Sequence, residues 1–444
     1  MLEWTALIIT LLGLGFLVVK APQWLIPLLG VSVALEISST WYPDLGFVGS
    51  LLGIVSLTRF VSVALILAAL WRVISRGETR ARLIGLIRNP VAVILLIYLA
   101  FGALSFVYSA DGGSTLKEVV RLGVLFGVFL SMALLVDEDY LLFPFHAVHL
   151  AALALLPLTL YEGITRNFIW HGENLISTKY VRVNATFVDP NIFARFLILG
   201  IVANLVLQLF SSSRWGKYFY WLVLPLLLVQ LVFTGSRGGI LTLGLILVLA
   251  LVLLPRKRVI LGLMGLCTLG GVATLFLKPE VWKRMLLLTK GIAATSPERK
   301  DLIEAGIAIF KDHPLLGTGL GTFQTVFLQD YSHLRTVPDG ATLSHTTVLT
   351  IGAELGVVGL LIVLVFWVAL LGVLYDLHRH TKGSFSIFSY EYQRYILAAG
   401  YALWALAIFI SSQGEGRFFE DPILWLSCGG LAYLNARVRA RGTG

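Results

Sequence analysis

Apolar stretches recur along nearly the whole chain, at roughly 5–19, 22–36, 50–75, 89–109, 117–136, 139–161, 189–210, 218–233, 239–254, 257–277, 347–375, 393–412 and 422–437. A helix that crosses a bilayer needs about 20 apolar residues, so the pattern predicts about 12–14 spans. The weakly bounded stretch from Leu45 to Ser75 holds one helix or two. One long polar insertion, from about Lys278 to Ser344, breaks the rhythm, and a shorter one runs from about Tyr161 to Asp189. The expected fold is all-α: a polytopic membrane protein with a structured helical extracytoplasmic loop. Three regions follow, with N-terminal transmembrane helices in 1–277, the loop subdomain in 278–346 and C-terminal transmembrane helices in 347–444. Within the loop, Ser296 and Pro297 signal a helix start, and Leu302, Ile303, Gly306, Ile307 and Phe310 recur at helical spacing until His313 and Pro314. Arg299 stands one turn before Ile303, along the apolar face of that helix.

Composition sharpens this picture. Hydrophobic residues make up 57% of the chain, charged residues 13%, and mean hydropathy is +0.87, which excludes an ordinary water-soluble domain. The first span lacks a basic leader and a small-residue cleavage site, so it reads as a retained helix. The net charge of +9 reflects topology and not nucleic-acid binding. Lys and Arg collect in alternate loops, at Arg72, Arg76, Arg80, Arg82 and Arg88, at Arg214 and Lys217, at Arg256, Lys257 and Arg258, at Arg379 and Lys382, and at Arg437, Arg439 and Arg441. The positive-inside rule makes these loops cytoplasmic. The other set, around Tyr42, Asp111, His171, Gly235, the long insertion and Gly416, then faces outward. Cys267 and Cys428 both lie in apolar spans and offer neither a disulfide framework nor a CxxC metal site.

Four outward features carry candidate chemistry. The first is the segment from Val181 to Asn191, with Arg182, Asn184 and Asn191, leading into a span. In the second, Thr234-Gly235-Ser236-Arg237-Gly238-Gly239, glycines allow close backbone approach, a helix start leaves amides free and Arg237 adds a forked cation. That combination suits a phosphate group. The third, His313-Pro314-Leu315-Leu316-Gly317-Thr318-Gly319-Leu320-Gly321, looks superficially like a dinucleotide loop but follows a helix on the outward side, which rejects the nucleotide reading. The fourth is Ser344-His345-Thr346-Thr347, continuing through Glu354 to Leu360. A histidine at the mouth of a span titrates near neutrality and can take a proton from a hydroxyl.

The SRGG turn, the arginine-bearing loop helix followed by HPLLGTGLG, and the segment from His345 to Gly359 together resemble the bacterial O-antigen ligase and O-antigen polymerase superfamily, integral membrane glycosyltransferases of the GT-C type. The family's histidine is usually followed by asparagine; here Thr346 follows His345. The resemblance implies glycan transfer from an undecaprenyl diphosphate carrier to an acceptor hydroxyl, on lipid A core or a growing lipid-linked polysaccharide. It also implies a site facing outward from the bacterial inner membrane, with no metal or cofactor. It assigns Arg237 and Arg299 to the diphosphate and His345 to the hydroxyl, with Arg182, Asn184, Asn191, Ser236, Gly238 and Glu354 as further contacts. Ligase and polymerase share this donor chemistry and stay equally open.

Three other readings compete. A metal-dependent enzyme would want outward acids, whereas the densest run, Asp137-Glu138-Asp139, falls on the cytoplasmic side as a solvated turn. A SEDS-like peptidoglycan polymerase would share the lipid-diphosphate substrate. A secondary transporter would use intramembrane charges, for which Glu36, Arg59, Arg195 and Glu354 are candidates.

Overall fold

A computed structural model describes residues 2–46, 55–170, 176–177, 180–277, 297–337, 342, 344–381, 389–416 and 418–442. It is built from α-helices, apart from a two-residue antiparallel pairing of Ile176–Ser177 with Tyr180–Val181. The first half holds α1 (Leu2–Lys20), α2 (Leu25–Val33), α3 (Leu57–Ser75), α4 (Gly77–Leu86), α5 (Pro90–Leu104), α6 (Gly112–Leu135), α7 (Phe143–Ala154) and α8 (Leu156–Thr165). The second half holds α9 (Pro190–Phe210), α10 (Arg214–Thr234), α11 (Arg237–Leu253), α12 (Lys257–Leu277), α13 (Pro297–Asp312), α14 (Phe323–Gln329), α15 (Thr347–Thr381), α16 (Tyr390–Glu415) and α17 (Pro422–Gly442). Among the described residues, nine helical stretches are long and apolar enough to cross a membrane, while Pro22–Val33 and Arg237–Leu253 are apolar but shorter.

The expected all-α membrane architecture is observed, with local corrections. The run 139–161 is two helices, because Pro157 enters the chain at the junction of α7 and α8 and supplies no amide to continue the ladder. The run 22–36 yields only a short helix before the chain turns through a 3-10 segment at Glu36–Thr40. In the Leu45–Ser75 stretch one helix, α3, is described, and residues 47–54 lie outside the described set, as does Ser296.

Helix α9 is the axis of the bundle. Its apolar window is buried on all sides, which is why its sequence shows no polar stripe. It packs against α7, α10, α11 and α16. Its buried Asn204 bonds to neighbouring helices through Nδ2, which lies 3.1 Å from His149 Nε2 and donates to the Tyr220 carbonyl at 3.1 Å, while its Oδ1 has no partner among the described residues. With no water in the bilayer core, such bonds between helices keep polar groups from going unmet.

The charged residues sort to two ends. At the basic end, Arg82 pairs with Asp137 at 3.4 Å, Arg394 pairs with Glu138, and Arg437 Nε stands 4.0 Å from the same carboxylate. The Asp137-Glu138-Asp139 run is therefore not merely a solvated turn. It draws together α4, α16 and α17, whose arginines come from distant parts of the chain. At the opposite end lie the N-caps of α6, α9 and α11 and the entry to α15.

Candidate functional site

At this second end the TGSRGG segment makes a tight reversal. Gly235 ends α10 with φ +58°, a left-handed conformation that suits glycine. Ser236 then caps α11, its Oγ accepting from the Gly239 amide at 3.1 Å. The same hydroxyl donates to Asn191 Oδ1 at 2.8 Å, and Arg182 Nη2 donates to that oxygen at 2.7 Å. Arg182 Nε also donates to the Thr234 carbonyl at 3.1 Å. Arg182, Asn191 and Ser236 thus form one part-buried knot that fixes the starts of α9 and α11. The two glycines that follow differ. A Cβ on Gly239 would stand 2.9 Å from Ala194 Cβ, so that glycine permits close packing of α11 on α9. A Cβ on Gly238 would meet nothing within 4 Å, and Gly238 borders open space beside Arg237.

The Val181–Asn191 segment owes its shape to two acids, buried Glu162 and half-buried Glu36. Glu162 accepts from the amides of Ile169 at 3.2 Å and Ala185 at 3.0 Å, while Glu36 accepts from Val188 at 2.9 Å. Asn184 is wholly buried and donates to the carbonyls of Phe187 and Trp170. It holds its own loop and presents no surface to a substrate, unlike the contact expected from sequence.

The HPLLGTGLG segment is a backbone lock. Helix α15 breaks at Gly356, where φ is +62° and ψ −160°. A broken helix leaves amides and carbonyls unpaired, and the loop supplies the partners. Thr318 donates to the Ala353 carbonyl at 3.0 Å, Gly319 to Glu354 at 2.9 Å, and the Val357 amide donates to Pro314 at 2.8 Å. Backbones this close leave no room for side chains: a Cβ on Gly317 would stand 2.2 Å from the Glu354 carbonyl carbon, and one on Gly356 2.2 Å from the Leu315 oxygen. Glu354 completes the lock, its carboxylate accepting from the amides of Gly321 at 2.9 Å and Phe323 at 3.1 Å. Both of its oxygens are engaged with backbone at the start of α14. This is a tie within the fold, where the sequence suggested a ligand contact.

His345 enters at the mouth of α15. Its imidazole bonds to the Glu415 carbonyl, and its own carbonyl accepts from the Gly416 amide at 3.1 Å. Burial, then the nearby Arg299 cation, push its pKa below the ordinary imidazole value; Asp189, Glu298 and the Glu415 carbonyl oppose this shift. Arg299 is half-buried on α13, which packs against α15. Its charge is felt by Arg237 as well as by His345. Arg299 on α13 is thereby within electrostatic reach of both Arg237 at the start of α11 and His345 at the α15 entry. Arg237 and Arg299 make no hydrogen bond or ion pair with the described residues. Sequence reasoning gave no site role to the acids beside them. Arg195, a candidate only for a transporter charge, pairs with Asp421 at 3.2 Å and, at 3.0 Å, with Glu415, whose carbonyl bonds to His345. The one available signal was a pair of acids flanking the turn between two late spans. Among the described residues no group of three or more His, Cys, Asp or Glu is placed to hold a metal ion.

No curated protein matches the chain. One solved structure, described as "Structural coordination of polymerization and crosslinking by a peptidoglycan synthase complex", aligns with 79% of this chain and 97% of its own at 18% identity, with a TM-score of 0.44. Residues 222–364 match the family model described as O-antigen ligase. The matched stretch begins within α10 and takes in the SRGG turn, Arg299, the HPLLGTGLG lock, His345 and the break at Gly356. Over that stretch the chain is therefore similar to the O-antigen ligase family.

Proposed function

We propose that this protein is a membrane glycosyltransferase that moves a glycan from an undecaprenyl diphosphate carrier to an acceptor hydroxyl, on lipid A core or on a growing lipid-linked polysaccharide. The observation that supports the reading is that Arg299 stands close enough for its charge to act on both Arg237 and His345, while neither arginine bonds to a described residue. In this reading segment 278–346 is an outward subdomain over the membrane helices of 1–277 and 347–444, and the site faces the periplasm from the inner membrane.

The acceptor oxygen attacks the anomeric carbon from the side opposite the diphosphate. The new glycosidic C–O bond forms as the bond to the diphosphate oxygen breaks, which inverts the anomeric centre. Negative charge grows on the leaving oxygens, and two guanidinium groups fixed in a half-buried setting stabilise it more than mobile water does. His345, neutral at physiological pH, takes the hydroxyl proton. Its bond to the Glu415 carbonyl fixes the ring while the other nitrogen remains the basic one. Arg182, Asn191 and Ser236 hold the α11 start in place, and Gly238 leaves room beside Arg237.

The test uses the purified protein in vesicles with a lipid-linked repeat-unit donor, with and without lipid A core acceptor. Transfer to core indicates a ligase, and donor-to-donor extension a polymerase. His345→Ala is expected to lower turnover by about 10²–10⁴-fold with donor binding retained. Turnover should also persist in a strong chelator. Normal turnover by folded His345→Ala removes the base assignment, and loss in chelator restored by a divalent ion points to metal-dependent chemistry.

A further inference from the structure

The peptide group joining Glu415 to Gly416 touches His345 on two sides. Its carbonyl accepts from the imidazole, and its amide donates to the His345 carbonyl at 3.1 Å. Gly416 takes φ +70° and ψ −158°, and a Cβ there would stand 2.8 Å from the Ser344 oxygen, so the contact is close along its length. The orientation of this one peptide plane therefore constrains the His345 ring.

An ion-pair bridge holds the Glu415 side chain. Arg195 Nη1 lies 3.0 Å from Glu415 Oε1 and its Nε 3.2 Å from Asp421 Oδ2, with all three side chains buried. Asp421 Oδ1 in turn accepts from the Ile423 amide at 2.8 Å and caps α17. Arg195 sits one turn inside α9, the most enclosed helix of the bundle. The bridge spans the turn between α16 and α17 and anchors both its ends to the axis of the fold. A planar fork suits two carboxylates in different directions, which a lysine ammonium on a flexible stem does not reproduce.

We infer that Arg195, through Glu415 and Asp421, is a positioning residue that sets the orientation and proton affinity of His345. Its importance for transfer rests on the reading of His345 as the base, but its effect on His345 does not. Besides Arg195's partners, the charged groups facing the ring are Arg299, Asp189 and Glu298.

The experiment measures carbethoxylation of His345 by diethyl pyrocarbonate across pH in the full-length purified protein, read by mass spectrometry, with exposed His333 as an internal reference. Arg195→Lys and Glu415→Gln are compared with the unaltered chain, alongside melting temperature. Glu415→Gln keeps shape and the backbone carbonyl, so it serves if Arg195→Lys does not fold. Loss of one hydrogen bond to the imidazolium should lower the His345 midpoint by about half a pH unit or more, with His333 unchanged. Transfer should lose kcat more than donor KM. A His345 profile that stays on that of the unaltered chain in folded variants, whatever the melting temperature, overturns the inference. A shifted profile in a protein that never transfers glycan upholds the positioning role and refutes the proposed function instead.

Discussion

Replacing Gly356 with alanine tests whether the HPLLGTGLG segment is a backbone lock. At φ +62° and ψ −160° the backbone occupies a region open essentially to glycine alone, and a side chain there costs about 1–3 kcal/mol. The added Cβ would stand 2.2 Å from the Leu315 oxygen and 2.4 Å from its carbonyl carbon, so the loop must withdraw. Withdrawal endangers the Val357 to Pro314 and Val358 to Leu315 hydrogen bonds, at 2.8 and 3.4 Å, each with a net value of about 0.5–1.5 kcal/mol. The expected loss is about 2–6 kcal/mol in total. Gly372 lies on the same helix with nothing within 4 Å of its would-be Cβ, so Gly372→Ala should be neutral or stabilising by up to about 1 kcal/mol. Unfolding of both variants in mixed micelles titrated with dodecyl sulfate gives the comparison. If Gly356→Ala unfolds at the same midpoint as Gly372→Ala, the lock is not closed as described.

Glu354→Gln should lower the melting temperature while leaving the specific activity of the folded fraction intact, because its carboxylate meets the amides of Gly321 and Phe323 and an amide nitrogen cannot accept from them; a selective loss of donor affinity would restore it as a ligand contact. The pH profile of transfer should have its acid limb below about 6.5, since the His345 pKa is depressed and only the neutral ring acts as base. The same depression contributes stability that is present above the unfolded histidine value and lost as pH falls through the folded one. Arg299→Gln removes a repelling cation and should move the acid limb of the residual activity upward; an unmoved limb shows that Arg299 does not act on His345. An isoprenyl diphosphate at about 100 times its Kd should stabilise the protein by about 2.7 kcal/mol. That gain should shrink in Arg237→Lys, which keeps the charge but loses the fork, and survive in His345→Ala; equal stabilisation of all variants removes the diphosphate site from Arg237.

The helices were legible because lipid burial demands long apolar runs, a signal that needs no knowledge of neighbours. What the sequence concealed were pairings between distant segments. HPLLGTGLG stands out as a glycine motif, yet its partner is the backbone of Ala353–Val358 across a helix break, and glycine spacing alone does not distinguish a ligand cradle from a close backbone contact. Asn184 looked available because its segment is polar, whereas Glu162 and Glu36 fold that segment inward. Asp137 and Glu138 looked solvated because Arg394 and Arg437 lie far along the chain. Local features held better: the helix stop at His313 and Pro314 falls where α13 ends, at Asp312.

The distribution of paired and unpaired cations bears most directly on function. Arg195 holds two carboxylates, Arg121 meets Glu118 at 3.0 Å and Glu420 at 3.2 Å, and Arg182 donates to Asn191 and the Thr234 carbonyl. Each of these guanidinium groups has its charge or its donors met within the fold, as burial requires. Arg237 and Arg299 differ from these three, since the Arg299 charge acts on Arg237 and neither bonds to a described residue. A transporter pathway would string ionisable groups through the bundle, but here Arg195 and Glu354 are tied into ion pairs or backbone amides near one end. Two like charges held half-buried repel each other, and an anion that bridged both would relieve that repulsion. In the proposed function that anion is the diphosphate, which has oxygens enough for both forks and gains charge as it leaves, so the same arrangement would bind the departing group more tightly than the substrate.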